Sequence, residues 1–222
     1  FCRKPSADLL YTPEQIDPVW FSQAFALHFC SVSLVDSPMR YAHLAAITAA
    51  REAGAILSFD PNLRFPLWSD REQLRQTVWQ FLPLTHILKL SDEELPFLTG
   101  TQDIEAALPR LFTGDVQLVL YTCGSKGARA YTRTASAHAR SPKVTAVDTT
   151  GAGDGFIGSF LWQLQRDGVT AAELAKLSRK RLTEYLIFSN RFCAISVQHY
   201  GALDSYPTLE QMEQPEADFS LP

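Results

Sequence analysis

The sequence predicts an α/β fold: a mainly parallel sheet with helices on both faces. Short runs of β-prone apolar residues alternate with helical patterns, as they do when parallel strands are joined by crossovers. Those crossovers are expected to be right-handed. The 222 residues, 46% of them hydrophobic, are enough for one globular domain with a sizeable core. Polar or glycine-containing stretches follow the apolar runs near Asp60, Leu90, Thr122 and Asp148. In an open parallel sheet such positions share the edge at which ligands bind.

Each element has its own reason. Leu27–Leu34 reads as a strand. Ser37-Pro38 then opens a helix, with Ser as N-cap and Pro at the first helical position, and Gly54 ends it. Ala55–Phe59 is a buried-type strand, and Ser69-x-x-Glu72 has the pattern of a capping box opening a helix to about Leu82. Thr85–Leu90 is the next strand. Ser91–Leu98 is a short helix ending at Gly100, and Asp103–Phe112 is another. Val116–Thr122 is rich in β-formers, and Ala128–Thr132 turns back after Gly127. Lys143–Val147 reads as a last strand, followed by helices over Gly155–Arg166 and about Ala171–Gln198. Residues 1–212 form the predicted domain; the acidic, proline-containing residues 213–222 are an expected flexible tail.

Composition narrows the function. Twenty Lys and Arg against 24 Asp and Glu give a net charge of −4. No basic stripe with interleaved aromatics is visible, which argues against a nucleic-acid partner. No apolar run is long enough to span a membrane. Cys2, Cys30, Cys123 and Cys193 lack any Cys-x-x-Cys spacing and suit a reduced, cytoplasmic protein. The five histidines are dispersed, without the spacing of a zinc site.

The chemistry is concentrated in Asp148-Thr149-Thr150-Gly151-Ala152-Gly153-Asp154-Gly155-Phe156. The predicted context is strand, glycine loop, helix. Two glycines let the backbone turn tightly and approach a ligand. The first amides of the helix then aim free N–H groups and the positive dipole end at one spot, which favours a phosphate. Asp154 lies within this anion hole. A carboxylate there suits a base that takes the proton of a hydroxyl attacking a terminal phosphate. A helix-start acid acting on the dipole is the simpler alternative. A dinucleotide fingerprint would need a third glycine where Phe156 stands, and no Gly-Lys-Ser/Thr of a Walker loop occurs.

The nonamer resembles the C-terminal signature of the ribokinase-like (PfkB-type) carbohydrate kinases. Pro5-Ser6-Ala7-Asp8, Asp60-Pro61-Asn62-Leu63-Arg64 with Leu67-Trp68, Thr122-Cys123-Gly124-Ser125-Lys126-Gly127-Ala128, and Tyr200-Gly201-Ala202 with Pro207-Thr208 resemble the fructokinase branch. The resemblance implies a ribokinase-like three-layer sandwich lacking its N-terminal strands and lid. It implies ATP-dependent phosphorylation of a sugar hydroxyl, that of fructose first, with ribose, 2-keto-3-deoxygluconate or a nucleoside as alternative acceptors. Because the chain opens where a lid strand would return, it is expected to lack efficient turnover. The competing reading is a nucleotide-binding remnant or regulatory pseudo-kinase.

The resemblance also assigns residues. Asp154 is the implied base, with Gly151, Ala152 and Gly153 supplying amides to the transferring phosphoryl group. Thr122, Gly124, Lys126 and Gly127 form the implied ATP loop, with Asn190 near adenine. Arg3, Asn62 and Arg64, with Asp154, face the acceptor and phosphates. Glu94 is implied to act on Mg²⁺ through water, although Ser91-x-x-Glu94 is equally a capping box. Asp148, Thr150, Gly201 and Ser205 match a loop that holds a monovalent cation such as K⁺; ordinary turn chemistry is the alternative. Sugar and ATP are the implied partners, and a homodimer is the expected assembly of the intact form.

Overall fold

The computed structural model describes residues 6–214. Its strands are β1 (Ala26–Cys30), β2 (Ile56–Asp60), β3 (Ile87–Ser91), β4 (Leu118–Thr122), β5 (Ala128–Tyr131) and β6 (Ser136–Ala139). Its helices are α1 (Pro38–Glu52), α2 (Arg71–Phe81), α3 (Leu95–Thr99), α4 (Ile104–Leu111), α5 (Ala152–Arg166), α6 (Arg179–Ser196) and α7 (Leu209–Glu213). The strands follow one another in the sheet in chain order. The chain divides into two compact units. One runs to Leu120 and takes in Thr170–Ala175; the other comprises Tyr121–Val169 and the chain from Lys176.

The first unit is built on parallel pairing. Ala26 to Cys30 stand opposite Ile56 to Asp60, and Ser58 and Phe59 stand opposite Ile87 and Leu88. All five residues of β2 are buried, as expected of a parallel strand covered on both faces. Phe29 stacks on Phe59 at 4.8 Å and meets Phe81 of α2 edge-on. Leu74 and Val78 bury the rest of that helix face.

Local chemistry moves several boundaries. The first strand stops at Cys30 rather than Leu34, because Ser31–Ser33 turns as a 3-10 helix. Ser37 precedes α1, but its hydroxyl donates to the Val35 carbonyl instead of capping. The capping box expected at Ser69 does not form. Asp70 is the N-cap, and its charged oxygen accepts from the Glu72 amide at 2.9 Å. A carboxylate is the stronger acceptor for an amide at a positive helix end.

The second unit starts with the antiparallel hairpin of β5 and β6, in which Ala128 opposes Ala139 and Tyr131 opposes Ser136. Helices α5 and α6 pack together, and α6 lies against both strands. Phe160 meets Tyr185 at 5.5 Å. Buried Gln163 donates to the Tyr185 carbonyl and the Ser189 hydroxyl, so this polar group is satisfied inside the interface. The helical run expected from Ala171 to Gln198 is divided. A 3-10 segment ends at Lys176, and Ser178 caps a new helix by accepting from the Arg181 amide.

Lys143–Val147 is not a strand. Pro142 interrupts the backbone donors, Val147 is 47% exposed, and the amides of Val147 and Asp148 both donate to the Val197 carbonyl. The segment is an extended connection tied to the end of α6. Glu213 closes α7; residues 215–222 of the expected tail, and Arg3, lie outside the described residues.

Candidate functional site

Gly151 opens α5 in the left-handed region, at φ 77°. A Cβ on it would stand 2.9 Å from the Ala202 Cβ and 3.0 Å from the Tyr206 hydroxyl, so the position demands glycine twice over. The Gly155 amide begins the helical ladder by donating to the Gly151 carbonyl at 2.8 Å, and the Ala152 amide turns back to the Thr149 carbonyl at 3.2 Å. The Ala152 amide is therefore occupied, whereas those of Gly153 and Asp154 on the first turn are open. Asp154 is exposed on that same turn. Gly155 is buried because Phe192 and Tyr206 leave its Cα no room for a side chain.

Asp148 shapes the approach to this turn. One carboxylate oxygen accepts from the Thr150 amide at 2.9 Å and the Thr150 hydroxyl at 2.6 Å. The other accepts from the Gly201 amide at 3.0 Å. The Thr150 hydroxyl, then the Thr150 and Gly201 amides, hold the Asp148 carboxyl below the usual range. Asp148, Thr150 and Gly201 thus form one group. Ser205 is bonded differently: its hydroxyl donates to the Ala202 carbonyl and pairs with Ser196.

Beside the start of α5 lies a cavity of about 400 Å³. Its lining includes Thr122, Gly124, Ser125 and Gly127 from the predicted ATP loop and Ala152 and Gly153 from the predicted anion hole. Gly127 has φ 97°, and a Cβ there would strike the Ala139 carbonyl at 2.1 Å, which lets the loop lie flat on β6. Lys126 is exposed and is not part of the lining. Asn190 is, but its amide nitrogen donates to the Ala139 and Arg140 carbonyls at 2.9 and 3.3 Å. It therefore shapes the wall first. Val144, Ala146, Phe156, Cys193, Ala194 and Val197 give the cavity an apolar character, and no local pattern in the sequence brings them together.

A different arrangement occupies the ends of β2 and β3 in the first unit. Asp60, 1% exposed, forms a 2.6 Å ion pair with Lys89, 6% exposed. The other Asp60 oxygen accepts from the Asn62 amide, and Asn62 takes the left-handed conformation at φ 43°. One oxygen of buried Glu94 accepts from the Leu63 amide at 2.8 Å; the other accepts from the Ser91 amide and hydroxyl at 2.9 Å. The Glu94 amide returns to the Ser91 hydroxyl, which completes the capping-box exchange. Burial, opposed by Lys89, raises the Asp60 carboxyl to about 6. Arg64 is exposed and donates to the Leu63 carbonyl. Among the described residues, no group of three or more His, Cys, Asp or Glu could hold a metal ion. Likewise no described helix is long and apolar enough to cross a membrane.

The comparisons with known proteins agree with this geometry. The model of the pfkB family carbohydrate kinases matches residues 1–209, and the chain belongs to that family. It is 40% identical over 215 residues to probable fructokinase-4 of Arabidopsis thaliana, covering 96% of this chain and 64% of the relative. It is 38% identical to fructokinase-1 of Zea mays, covering 96% of this chain and 65% of that one. The chain thus spans less than two thirds of the length of these curated relatives. A fructokinase with bound ATP from Xylella fastidiosa superposes with a TM-score of 0.87 at 33% identity, over 94% of this chain and 66% of the other. An aminoimidazole riboside kinase from Salmonella enterica gives 0.79 at 31% identity, over 94% and 67%. The ribokinase-like fold and the fructokinase branch expected from the sequence are both borne out.

Proposed function

We propose that this chain carries the nucleotide- and phosphate-handling part of a sugar kinase that transfers the γ-phosphate of ATP to a hydroxyl of fructose. The observation that carries the reading is the start of α5. A left-handed glycine, two open amides and an exposed carboxylate stand on one helical turn beside an apolar cavity of about 400 Å³. The cavity takes the base and ribose, and the Gly153 and Asp154 amides face the transferring phosphoryl group, where charge develops. Asp154 accepts the proton of the attacking sugar hydroxyl. Lys126, free to swing from its turn, contacts a phosphate, and Arg64 and Asn62 serve the acceptor side.

Mg²⁺ bound to the nucleotide lowers the phosphate charge. Both oxygens of Glu94 accept from protein donors, so it fits only a water-mediated contact with the metal. The Asp148–Thr150–Gly201 group is a place that a hard cation such as K⁺ could join through oxygen ligands. Related structures support the ligand set: a double mutant of Vibrio cholerae O395 fructokinase is in a fructose-, ADP- and potassium-bound form. The similarity to the aminoimidazole riboside kinase keeps a nucleoside-type acceptor as the second reading.

Calorimetric titration with ATP–Mg²⁺ tests the binding half, and ATP-dependent phosphorylation across fructose, ribose, 2-keto-3-deoxygluconate and nucleosides tests the transfer half. Fructose is expected to lead the panel. A folded chain that binds no ATP at millimolar concentration overturns the reading. Preference for a nucleoside replaces fructose as acceptor and keeps the mechanism.

A further inference from the structure

We propose that Tyr206 is a positioning residue for the phosphate end of the nucleotide site, fixing the anion-binding turn by bonding the carbonyl of Gly151. The inference rests on the nucleotide reading of the cavity and names a residue that the glycine-loop signature does not contain.

The geometry is direct. The Tyr206 hydroxyl donates to the Gly151 carbonyl at 2.8 Å. That carbonyl already accepts the Gly155 amide at 2.8 Å, so both its lone-pair directions are used and its peptide plane is fixed from two sides. Gly151 is the residue whose left-handed conformation turns the chain into α5. Glycine has wide backbone freedom, and an anchored carbonyl restricts it. The Tyr206 ring adds a steric wall. It packs on Phe192 at 5.2 Å and would contact a Cβ on Gly155 at 3.1 Å. Cys193 gives a second anchor one residue on, its thiol donating to the Ala152 carbonyl at 3.2 Å. The carbonyls of the turn are thus held from behind by side chains of α6 and of the segment before α7, while the Gly153 and Asp154 amides stay open in front.

The phenol is suited to the task. Burial, and then the negative charge of Asp154, push its ionisation upward, so it remains a donor across the physiological range. The Asp154 charge also places the tyrosine within electrostatic reach of the proposed base. Tyr206 is a positioning group because it acts through the backbone of Gly151 and leaves the donor amides to the ligand.

The test is Tyr206→Phe, which removes one oxygen and keeps the ring packing. Titrate the full chain and the variant with ATP–Mg²⁺ and separately with adenosine, and follow amide exchange at Gly155 without ligand. ATP affinity is expected to fall about threefold to tenfold, the value of one net hydrogen bond. Adenosine affinity is expected to hold within about twofold, because the base and ribose wall is untouched. Gly155 exchange is expected to accelerate about tenfold while circular dichroism stays unchanged. Equal losses for ATP and adenosine, or unchanged ATP affinity with unchanged Gly155 exchange, overturn the proposal. If the wild-type chain binds neither ligand, the nucleotide reading is what fails, and Gly155 exchange alone decides whether Tyr206 fixes the turn.

Discussion

The carboxylates after β2 and β3 and those around the start of α5 look alike in sequence, each following a predicted strand end, yet they are built to opposite plans. In the first unit Asp60 and Glu94 are buried, and their oxygens accept from Lys89, Asn62, Leu63 and Ser91. The group is closed on itself. In the second unit Asp148 also binds its neighbours, but it does so at the surface, and Asp154 is exposed on a turn whose Gly153 lines a cavity. Titration marks the same contrast. Burial lifts Asp60 to about 6, whereas a hydroxyl and two amides lower Asp148. The first plan holds loop geometry; the second leaves donors for a ligand.

The sharpest way to break the comparison is Asp154→Asn. If the open turn does the chemistry, kcat for sugar phosphorylation by the intact form falls roughly a hundredfold to ten-thousandfold while ATP affinity holds within a few fold. A kcat within a few fold of wild type reduces Asp154 to a helix-start acid. Next in size is Lys89→Met, which leaves Asp60 buried without its cation. Denaturant unfolding at neutral pH is expected to show a loss of about 3–5 kcal/mol. The double variant Asp60→Asn/Lys89→Met is expected to recover most of that, since no lone charge remains. If Lys89→Met is as stable as wild type, the pair is not the closed structural device described above.

The pH dependence of Asp60 gives a third measure. Its native value of about 6 lies above the ordinary aspartate value of 3.8, so between those pH values the folded state binds the extra proton. The stabilisation is therefore fully present below the unfolded value and is lost as pH rises through about 6. Wild type measured against Asp60→Asn is expected to lose roughly 2 kcal/mol of relative stability between pH 4 and pH 7. A flat difference would show that Lys89 compensates the burial completely. For Gly151→Ala the left-handed backbone alone is expected to cost about 1–2 kcal/mol of stability, to which the contact of the new Cβ with Ala202 and Tyr206 adds. Thermal unfolding in the presence and absence of ATP checks it. A variant that gains as much from ATP as wild type would show that the turn tolerates the shift.

The glycine turn was legible because its requirement is local. Gly151 and Gly153 with Asp154 specify a conformation and a donor set within a few residues. The parallel order of β1 to β3 was legible for a similar reason, since alternating strand and helix patterns admit few topologies. What escaped was carried by distant partners. Lys89 sits in the apolar run Ile87-Leu88-Lys89-Leu90 and meets Asp60 across two strands, so the run reads simply as strand. Lys143–Val147 has strand composition, yet its amides near the α5 turn bond the Val197 carbonyl, and no local signal marks that. Val144, Ala146, Ala194 and Val197 read as ordinary core and become a cavity wall only when α6 arrives. The 3-10 turns before β1 left a usable trace. Asp17 stands before Pro18 and accepts from the Val19 amide, as a short capped turn requires.

The long-range bonds around the start of α5 and the cavity wall have a consequence for the order in which the molecule assembles. Asn190 reaches back 51 residues to Ala139, Gly201 reaches back 53 to Asp148, and Tyr206 reaches back 55 to Gly151. Each closes a long loop, and the entropy of closure must be met before the contact forms. On a ribosome that extends the chain from its N-terminus, the first unit's parallel strands can pair while the distant bonds of Asn190, Gly201 and Tyr206 are still unmade. The start of α5 is therefore among the last features to become rigid, and the growing chain has its framework before this turn is set.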